Sequence, residues 1–375
     1  MTTDQAQLHQ QLIDRMMIGG SLRTEPWRRA AAAVPRHEFL RGGYFRRVAG
    51  PQFHSAWEPV HAGDPDWLDG CYADESLVTQ IAGTIVPEDI RGPITREPTS
   101  SSTLPSLVLR MLEDLQVEDG HKVLEIGTGT GYSTALLCAR LGDEFVTSIE
   151  YDPWVASQAR AALGHLEMYP TLVTGDGLLG DGAGAPYDRV IATCGVRTVP
   201  AAWVEQTRPG GLILATVGGW LGSSELARLT VHQDGTASGS LLGGGVNFML
   251  ARPHTPPPLG LLPDLEDGKE RETAVGADVL NNWGARFVAQ LAVPNAQRLT
   301  LERDGRTEDV LVDVDTGSWA AVYSEGGGRW LVRQGGPEPL WDAVEERFGQ
   351  WCAAGAPAVE EFTISVGPEG QSIGW

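Results

Sequence analysis

Val123-Leu124-Glu125-Ile126 runs directly into Gly127-Thr128-Gly129-Thr130-Gly131, and a helical pattern starts at Tyr132. A short apolar strand that meets three alternate glycines must turn sharply with a bare backbone. Bare amides at a helix start can approach a ligand closely. The flanking sequence repeats the same alternation. Apolar helical spacing at Leu104–Leu115 precedes the motif, and Tyr132–Leu141 follows it as a helix. Phe145–Ile149 reads as a strand, Pro153–Leu163 as a helix, Thr171–Val173 and Arg189–Thr193 as strands, Ala201–Gln206 as a helix, and Leu212–Val217 as a strand. Strands alternating with helices imply right-handed parallel crossovers, hence an α/β fold with a doubly wound, Rossmann-like sheet. Leu226–His232 and Val246–Ala251 read as antiparallel strands that close it.

The glycine spacing is GxGxG, and Tyr132 stands where a dinucleotide fingerprint wants a small residue for close helix packing. That substitution argues against a nicotinamide dinucleotide. Glu150 ends the next strand, 23 residues after Gly127, where a carboxylate can accept from ribose hydroxyls. Asp176 follows the strand after that, in Gly175-Asp176-Gly177, and is placed to meet an adenine amine. Alone, the glycine turn is equally a structural βα turn, and Glu150 a solvated strand end. Together and in order they select a cofactor site of Glu125, Gly127, Thr128, Gly129, Tyr132, Glu150, Tyr151, Asp176 and Gly177.

Composition narrows the partners. The net charge of -21 disfavours nucleic acid, whose phosphates dominate such affinities. Residues 1–50 are the exception, with eight Arg against four acidic residues. No apolar run approaches the ~20 residues of a membrane span, and the first 20 residues lack a signal-peptide core. Cys71, Cys138, Cys194 and Cys352 lie far apart and form no metal-ligand spacing. These features predict a cytoplasmic protein without a metal site, bound neither to membrane nor to nucleic acid.

Four regions emerge. Residues 1–98 begin with helices carrying Leu8, Leu12, Ile13 and Met16, then Trp27–Val34 behind Thr24, Glu25 and Pro26. Residues 42–75 read as irregular. Residues 99–252 hold the alternating core, and 253–263 contain five prolines, a linker composition. Residues 264–375 form an α+β segment with 20 acidic residues, 9 basic residues and six of the twelve tryptophans. In it Phe287–Val293, Arg298–Leu301, Asp309–Asp313 and Trp319–Tyr323 read as strands. Leu340, Val344, Phe348 and Trp351 follow helical spacing, and Phe362–Val366 with Gln371–Trp375 flank a hairpin turn.

Val34-Pro35-Arg36-His37-Glu38-Phe39, the Val123–Tyr132 loop, Gly175-Asp176-Gly177, Ala185–Thr193 and Arg208-Pro209-Gly210-Gly211-Leu212 occur in the order found in the protein-L-isoaspartate O-methyltransferases. Across about residues 25–252 the chain resembles that family. The resemblance implies a class I methyltransferase core, S-adenosyl-L-methionine as cofactor, S-adenosyl-L-homocysteine as product, and a peptide or protein substrate. The family's acceptor loop reads Ile-Ser-x-Pro, and Thr103 falls on its serine. The usual Gly-x-Gly-Gln-Thr lead-in is replaced by Arg96-Glu97-Pro98-Thr99. Segment 264–375 is similar to the extension of relatives encoded with ribosomally made peptides (lanthipeptides, lasso peptides, graspetides). That second likeness implies esterification of an ordinary aspartate and succinimide formation on a modified precursor peptide; general isoaspartate repair is the alternative.

A carboxylate acceptor has an ordinary pKa of about 4 and is ionised at neutral pH, so no general base is needed. The lack of a Ser/His/Asp constellation is therefore consistent. Hydroxyl donors that orient a carboxylate are required, and Ser101, Ser102 and Thr103 are the candidates before the Pro105 helix. The competing role for Ser102 or Thr103 is capping that helix. Arg36 and His37 fit packing at a helix end better than substrate contact.

Overall fold

A computed structural model describes residues 2–50, 55–303 and 305–375. The chain opens with α1 (Thr3–Ile18) and α2 (Glu25–Ala33). Leu12, Ile13 and Met16 are buried on α1, as their spacing predicts. A 3-10 turn at Arg36–Leu40 leads to β1 (Tyr44–Ala49), β2 (Ser55–Val60), α3 (Trp67–Cys71), β3 (Leu77–Ile81), β4 (Pro98–Ser102) and α4 (Pro105–Asp114). The irregular reading of 42–75 is thus corrected, although its part at 51–54 lies outside the described residues. Four strands pair here in the order β2-β1-β3-β4. The Tyr44-Phe45-Arg46-Arg47 run hides its strand because it does not alternate apolar and polar residues.

The core follows as β5 (Val123–Ile126), α5 (Tyr132–Leu141), β6 (Val146–Glu150), α6 (Pro153–His165), β7 (Thr171–Thr174), β8 (Tyr187–Val196), α7 (Ala201–Gln206) and β9 (Thr207–Gly218). Next come β10 (Ser224–Val231), β11 (Ala237–Leu241), β12 (Lys269–Thr273), α8 (Trp283–Ala292), β13 (Ala296–Arg303), β14 (Arg306–Asp313), β15 (Ser318–Gly326), β16 (Arg329–Gly335), α9 (Leu340–Ala353), β17 (Thr363–Gly367) and β18 (Gly370–Gly374).

Contacts divide the chain into two units: 1–194, 200–214 and 230–237 in the first, and 195–199, 215–229 and 238–375 in the second. Strands β8 to β11 contribute residues to both. In the first unit the sheet order is β9-β8-β5-β6-β7. The β5–β6, β5–β8 and β6–β7 pairs are parallel, so the direction of winding reverses between β5 and β8. Open sheets of this kind bind ligands in that crevice, beyond the strands' carboxyl ends.

In the second unit β18-β17-β11-β10 continue as neighbours, and a separate sheet runs β12-β16-β15-β14-β13. The closing antiparallel strand expected at 246–251 is instead irregular, with a parallel bridge from Leu250 to Gly195. The place beside β10 is taken by β11, whose Gly239 lets the backbone close on the Arg228 carbonyl. The strand expected at 287–293 is helix α8. Asn282 caps it by accepting from the Ala285 amide at 3.0 Å, and Ala285, Phe287, Val288 and Ala289 are buried at helical spacing. Trp319 and Trp341 fill the core of this segment, with the Trp341 indole bonded to Thr273 Oγ1 at 3.1 Å.

One cluster in the first unit responds to pH. His9 Nε2 donates to the Ala31 carbonyl at 2.9 Å, and its ring stacks on Tyr72. His37 Nδ1 lies 2.6 Å from the Tyr72 hydroxyl. Burial holds both imidazoles below their ordinary pKa. The unfolded chain therefore binds more protons below pH ~6.5, so stability is full above that pH and falls on acidification. The slope cannot exceed about 1.4 kcal/mol per pH unit per imidazole. Denaturant unfolding of the His9→Gln variant between pH 7.5 and 5.5 should show a shallower loss than the parent; equal slopes would remove His9 from this account.

Candidate active site

The turn after β5 is shaped by residues without side chains. Gly127, Gly129 and Gly131 have φ of 95°, 55° and 91°, a region that L side chains rarely adopt. A Cβ on Gly127 would lie 2.8 Å from Thr193 Oγ1. That hydroxyl, on β8, donates to the Ile126 and Gly127 carbonyls. The Gly129 amide donates 2.9 Å to Glu150 Oε2, and the Asp152 amide 3.0 Å to Oε1. Glu150 thus stands beside the turn at the end of β6. Asp176 accepts from the Leu178 amide at 3.0 Å and caps the single turn 177–179. A side chain on Gly177 would collide with Ile126. Tyr151 is about half exposed beside Glu150.

Three residues of the sequence-derived set have buried side chains, which support the turn from within the fold. Glu125 is fully buried, and its carboxylate accepts from Ser133, Thr134 and Ser148. Burial raises its pKa while the three hydroxyls pull it down. It fastens the turn from beneath. Thr128 is buried with its hydroxyl 2.6 Å from that of Ser148. Tyr132 is also buried, edge-on to Phe39, with its hydroxyl pushed up to about 12 by burial.

Ser101 and Ser102 lie on β4, and Thr103 follows directly after it. Ser101 pairs with Val78, and Ser102 with Leu77. The Ser101 carbonyl comes within 3.4 Å of where a Gly129 Cβ would stand, so strand and glycine turn meet. Ser102 is buried against Arg36. Ser101 and Thr103 are half-buried. Neither Ser102 nor Thr103 caps α4: the Ser106 amide donates to Asp74 at 2.9 Å and the Leu104 amide to Ser76 at 3.1 Å. Only the fold brings those two caps to the helix.

A cleft beside the turn is lined by Ser100, Thr79, Gly129, Trp154, Arg41 and His165, among others. Arg41 pairs with Glu38 at 2.5 Å. Ser100, Thr79 and Trp154 were not singled out in the sequence. Trp154 carries a weak signal, since it follows Asp152-Pro153 at a helix start yet stays 45% exposed. Among the described residues no cluster could hold a metal ion, and no helix is long and apolar enough to cross a membrane.

A reversal of winding between β5 and β8, a side-chain-free turn after β5 and a carboxylate ending β6 form a nucleotide-type cofactor crevice, which fits an S-adenosylmethionine-dependent methyltransferase. Comparison with known proteins narrows the class. Residues 77–248 match the family model described as Protein-L-isoaspartate(D-aspartate) O-methyltransferase (PCMT). The chain is 31% identical over 212 residues to the protein-L-isoaspartate O-methyltransferase of Methanopyrus kandleri, covering 56% of this chain and 76% of that one. For the enzyme of the same name from Myxococcus xanthus the identity is 36% over 162 residues, covering 41% and 76%. A solved protein-L-isoaspartate O-methyltransferase shares the fold over 98% of this chain and 99% of that chain, with a TM-score of 0.56 at 21% identity. The chain belongs to the protein-L-isoaspartate O-methyltransferase family.

Replacing Glu125 by Gln leaves the volume but turns one acceptor into a donor facing hydroxyls that now donate to it. The cost should be about 1–3 kcal/mol of stability. Denaturant unfolding should register that loss, while calorimetry should find cofactor affinity less affected than in Glu150→Ala. The reverse ranking would make Glu125 a direct ligand.

Proposed function

We propose that this protein transfers a methyl group from S-adenosylmethionine to the free α-carboxylate of isoaspartyl residues in peptides and proteins. The observation that carries the proposal is the approach of Ser101 to Gly129, which sets a hydroxyl-bearing strand against the cofactor turn. Gly127, Gly129, Glu150, Tyr151, Asp176 and Gly177 would hold the cofactor. Its chemistry is that of a methyl on a positively charged sulfur, open to in-line displacement. The acceptor carboxylate is ionised near neutral pH, so the protein's work is to orient it and exclude water. Thr103 and Ser101 would orient it with hydroxyl donors, and Ser100 and Trp154 would line its approach. Residues 99–252 are the proposed catalytic core, and 264–375 a proposed module for peptide recognition. The cytoplasm is the proposed location, consistent with four free thiols.

A second reading has its own support. The stretch Arg96–Thr99 departs from the family's lead-in, and Thr103 replaces its serine. An altered acceptor strand fits a different carboxylate, such as an ordinary aspartate of a modified ribosomal peptide that then closes to a succinimide. The C-terminal segment does not favour this reading, because the fold likeness to a solved family member extends over it.

Paired synthetic peptides, one aspartyl and one isoaspartyl, separate the two readings by mass spectrometry. The isoaspartyl peptide alone should gain the mass of a methylene. Turnover of only the aspartyl peptide, followed by loss of methanol, would install the second reading. Glu150→Ala should weaken cofactor binding by about 1.5–3 kcal/mol, the range for a hydrogen bond to a charged group. Calorimetry showing unchanged affinity in a folded variant would remove the ribose assignment. Thr103→Ala should slow methyl transfer and spare cofactor affinity.

A further inference from the structure

Arg36 is fully buried. A guanidinium carries five donors in a rigid fork. Here the fork spans two segments of chain. Nη1 donates to the Cys71 and Ala73 carbonyls at 3.2 and 2.8 Å. Nη2 donates to the Glu75 carbonyl at 2.8 Å and to the Ser102 and Thr103 carbonyls at 3.0 and 3.2 Å. Nε reaches Ser102 Oγ at 3.4 Å. Among the described residues its hydrogen-bond partners are these five carbonyls and one hydroxyl. Burying a charge on carbonyl dipoles is costly, and burial lowers its pKa from the ordinary value. An apolar residue would fill the space without that cost. What an apolar residue cannot do is hold five backbone oxygens from residues 71–75 and 102–103 at fixed separations.

The second of those segments is the acceptor strand. Its neighbour Ser101 packs on Gly129 of the cofactor turn, and Leu104 is tied to Ser76. We infer that Arg36 is a positioning residue for methyl transfer: it fixes the backbone of Ser102 and Thr103, and through them the distance between the acceptor hydroxyls and the cofactor turn. It touches neither cofactor nor substrate. The inference rests on the role proposed above for Thr103. Lysine cannot substitute, because three donors from one point do not span two segments.

Arg36→Lys should therefore lower kcat by about 10- to 100-fold, the scale expected of a misplacement near 1 Å. KM for peptide and calorimetric affinity for S-adenosylhomocysteine should change less than threefold. In a double-mutant cycle with Thr103→Ala the effects on kcat should be strongly non-additive, since one acts through the other. Additive effects, or a loss of cofactor affinity equal to the loss of kcat, would overturn the inference and leave Arg36 a packing residue. If Thr103→Ala alone leaves kcat unchanged, the proposed acceptor role fails first; if Thr103→Ala slows transfer and folded Arg36→Lys does not, only this inference fails. Should Arg36→Lys not fold, Ser76→Ala loosens the same segment at Leu104 without burying a charge. A drop in kcat with cofactor affinity intact supports a held segment, and an unchanged kcat counts against it.

Discussion

The cofactor half of the first unit depends on one buried carboxylate. Glu125 sits near the end of β5 and accepts from two hydroxyls at the start of α5 and one on β6. Taking an ionised group out of water is expensive unless it is fully hydrogen-bonded, and bonds to a charged group contribute about 1.5–3 kcal/mol each. Three such bonds counter part of the burial cost, which still raises the Glu125 pKa, and tie a strand, its successor helix and the neighbouring strand into one piece. The glycine turn between β5 and α5 is then held from below. Its upper surface can stay free of side chains without losing its shape, which is the condition for a backbone that meets a ligand closely.

The same economy joins the small sheet to this core. Asp152 caps α6 through the Trp154 and Val155 amides, and its second oxygen accepts from Gln80 on β3. Gln80 in turn accepts from Thr99 on β4. Glu113 of α4 takes the Arg23 and Thr24 amides at the start of α2, and Asp74 takes the Ser106 amide of α4. The starts of α2 and α4 are satisfied by carboxylates distant in sequence, whereas α6 is capped by its own Asp152. Each such cap fixes a helix and a loop at once. The strand carrying Ser101 is thereby held against the cofactor turn by several independent links, of which the Arg36 fork is the most deeply buried.

This also explains which parts were legible in the sequence. Parallel strands β5 and β6 and helices α5, α6 and α7 are local patterns, and their bounds follow from apolar runs, glycines and a Pro153 start. Strands β1 to β4 are not local patterns. Their apolar faces are set by partners across the sheet, and Thr99-Ser100-Ser101-Ser102 has nothing in its composition that separates strand from loop. Helix α8 was misread because Phe287-Val288 has high strand preference, and packing overrides such preference easily. For the site, glycines and terminal carboxylates could be found by spacing. That Glu125, Thr128 and Tyr132 face inward could not, since a residue next to a turn can point either way and only neighbours decide.

The distribution of roles bears on substrate choice. Methylating a carboxylate asks for no proton transfer, so selectivity has few catalytic groups on which to depend. On the proposed reading it would reside in where the acceptor segment holds its hydroxyls and in the walls of the cleft beside Gly129. An isoaspartyl and an aspartyl residue differ in which carboxylate is free and by one methylene in the backbone, a change of the order of 1 Å in position. A strand held by links as short as those at Arg36, Gln80 and Ser76 has little freedom to accommodate both. On the proposed roles of Ser101 and Thr103, selectivity would rest on how firmly β4 and the residue after it are held, and a threonine in place of a serine at 103 would alter the donor's rotamer without releasing the backbone that carries it.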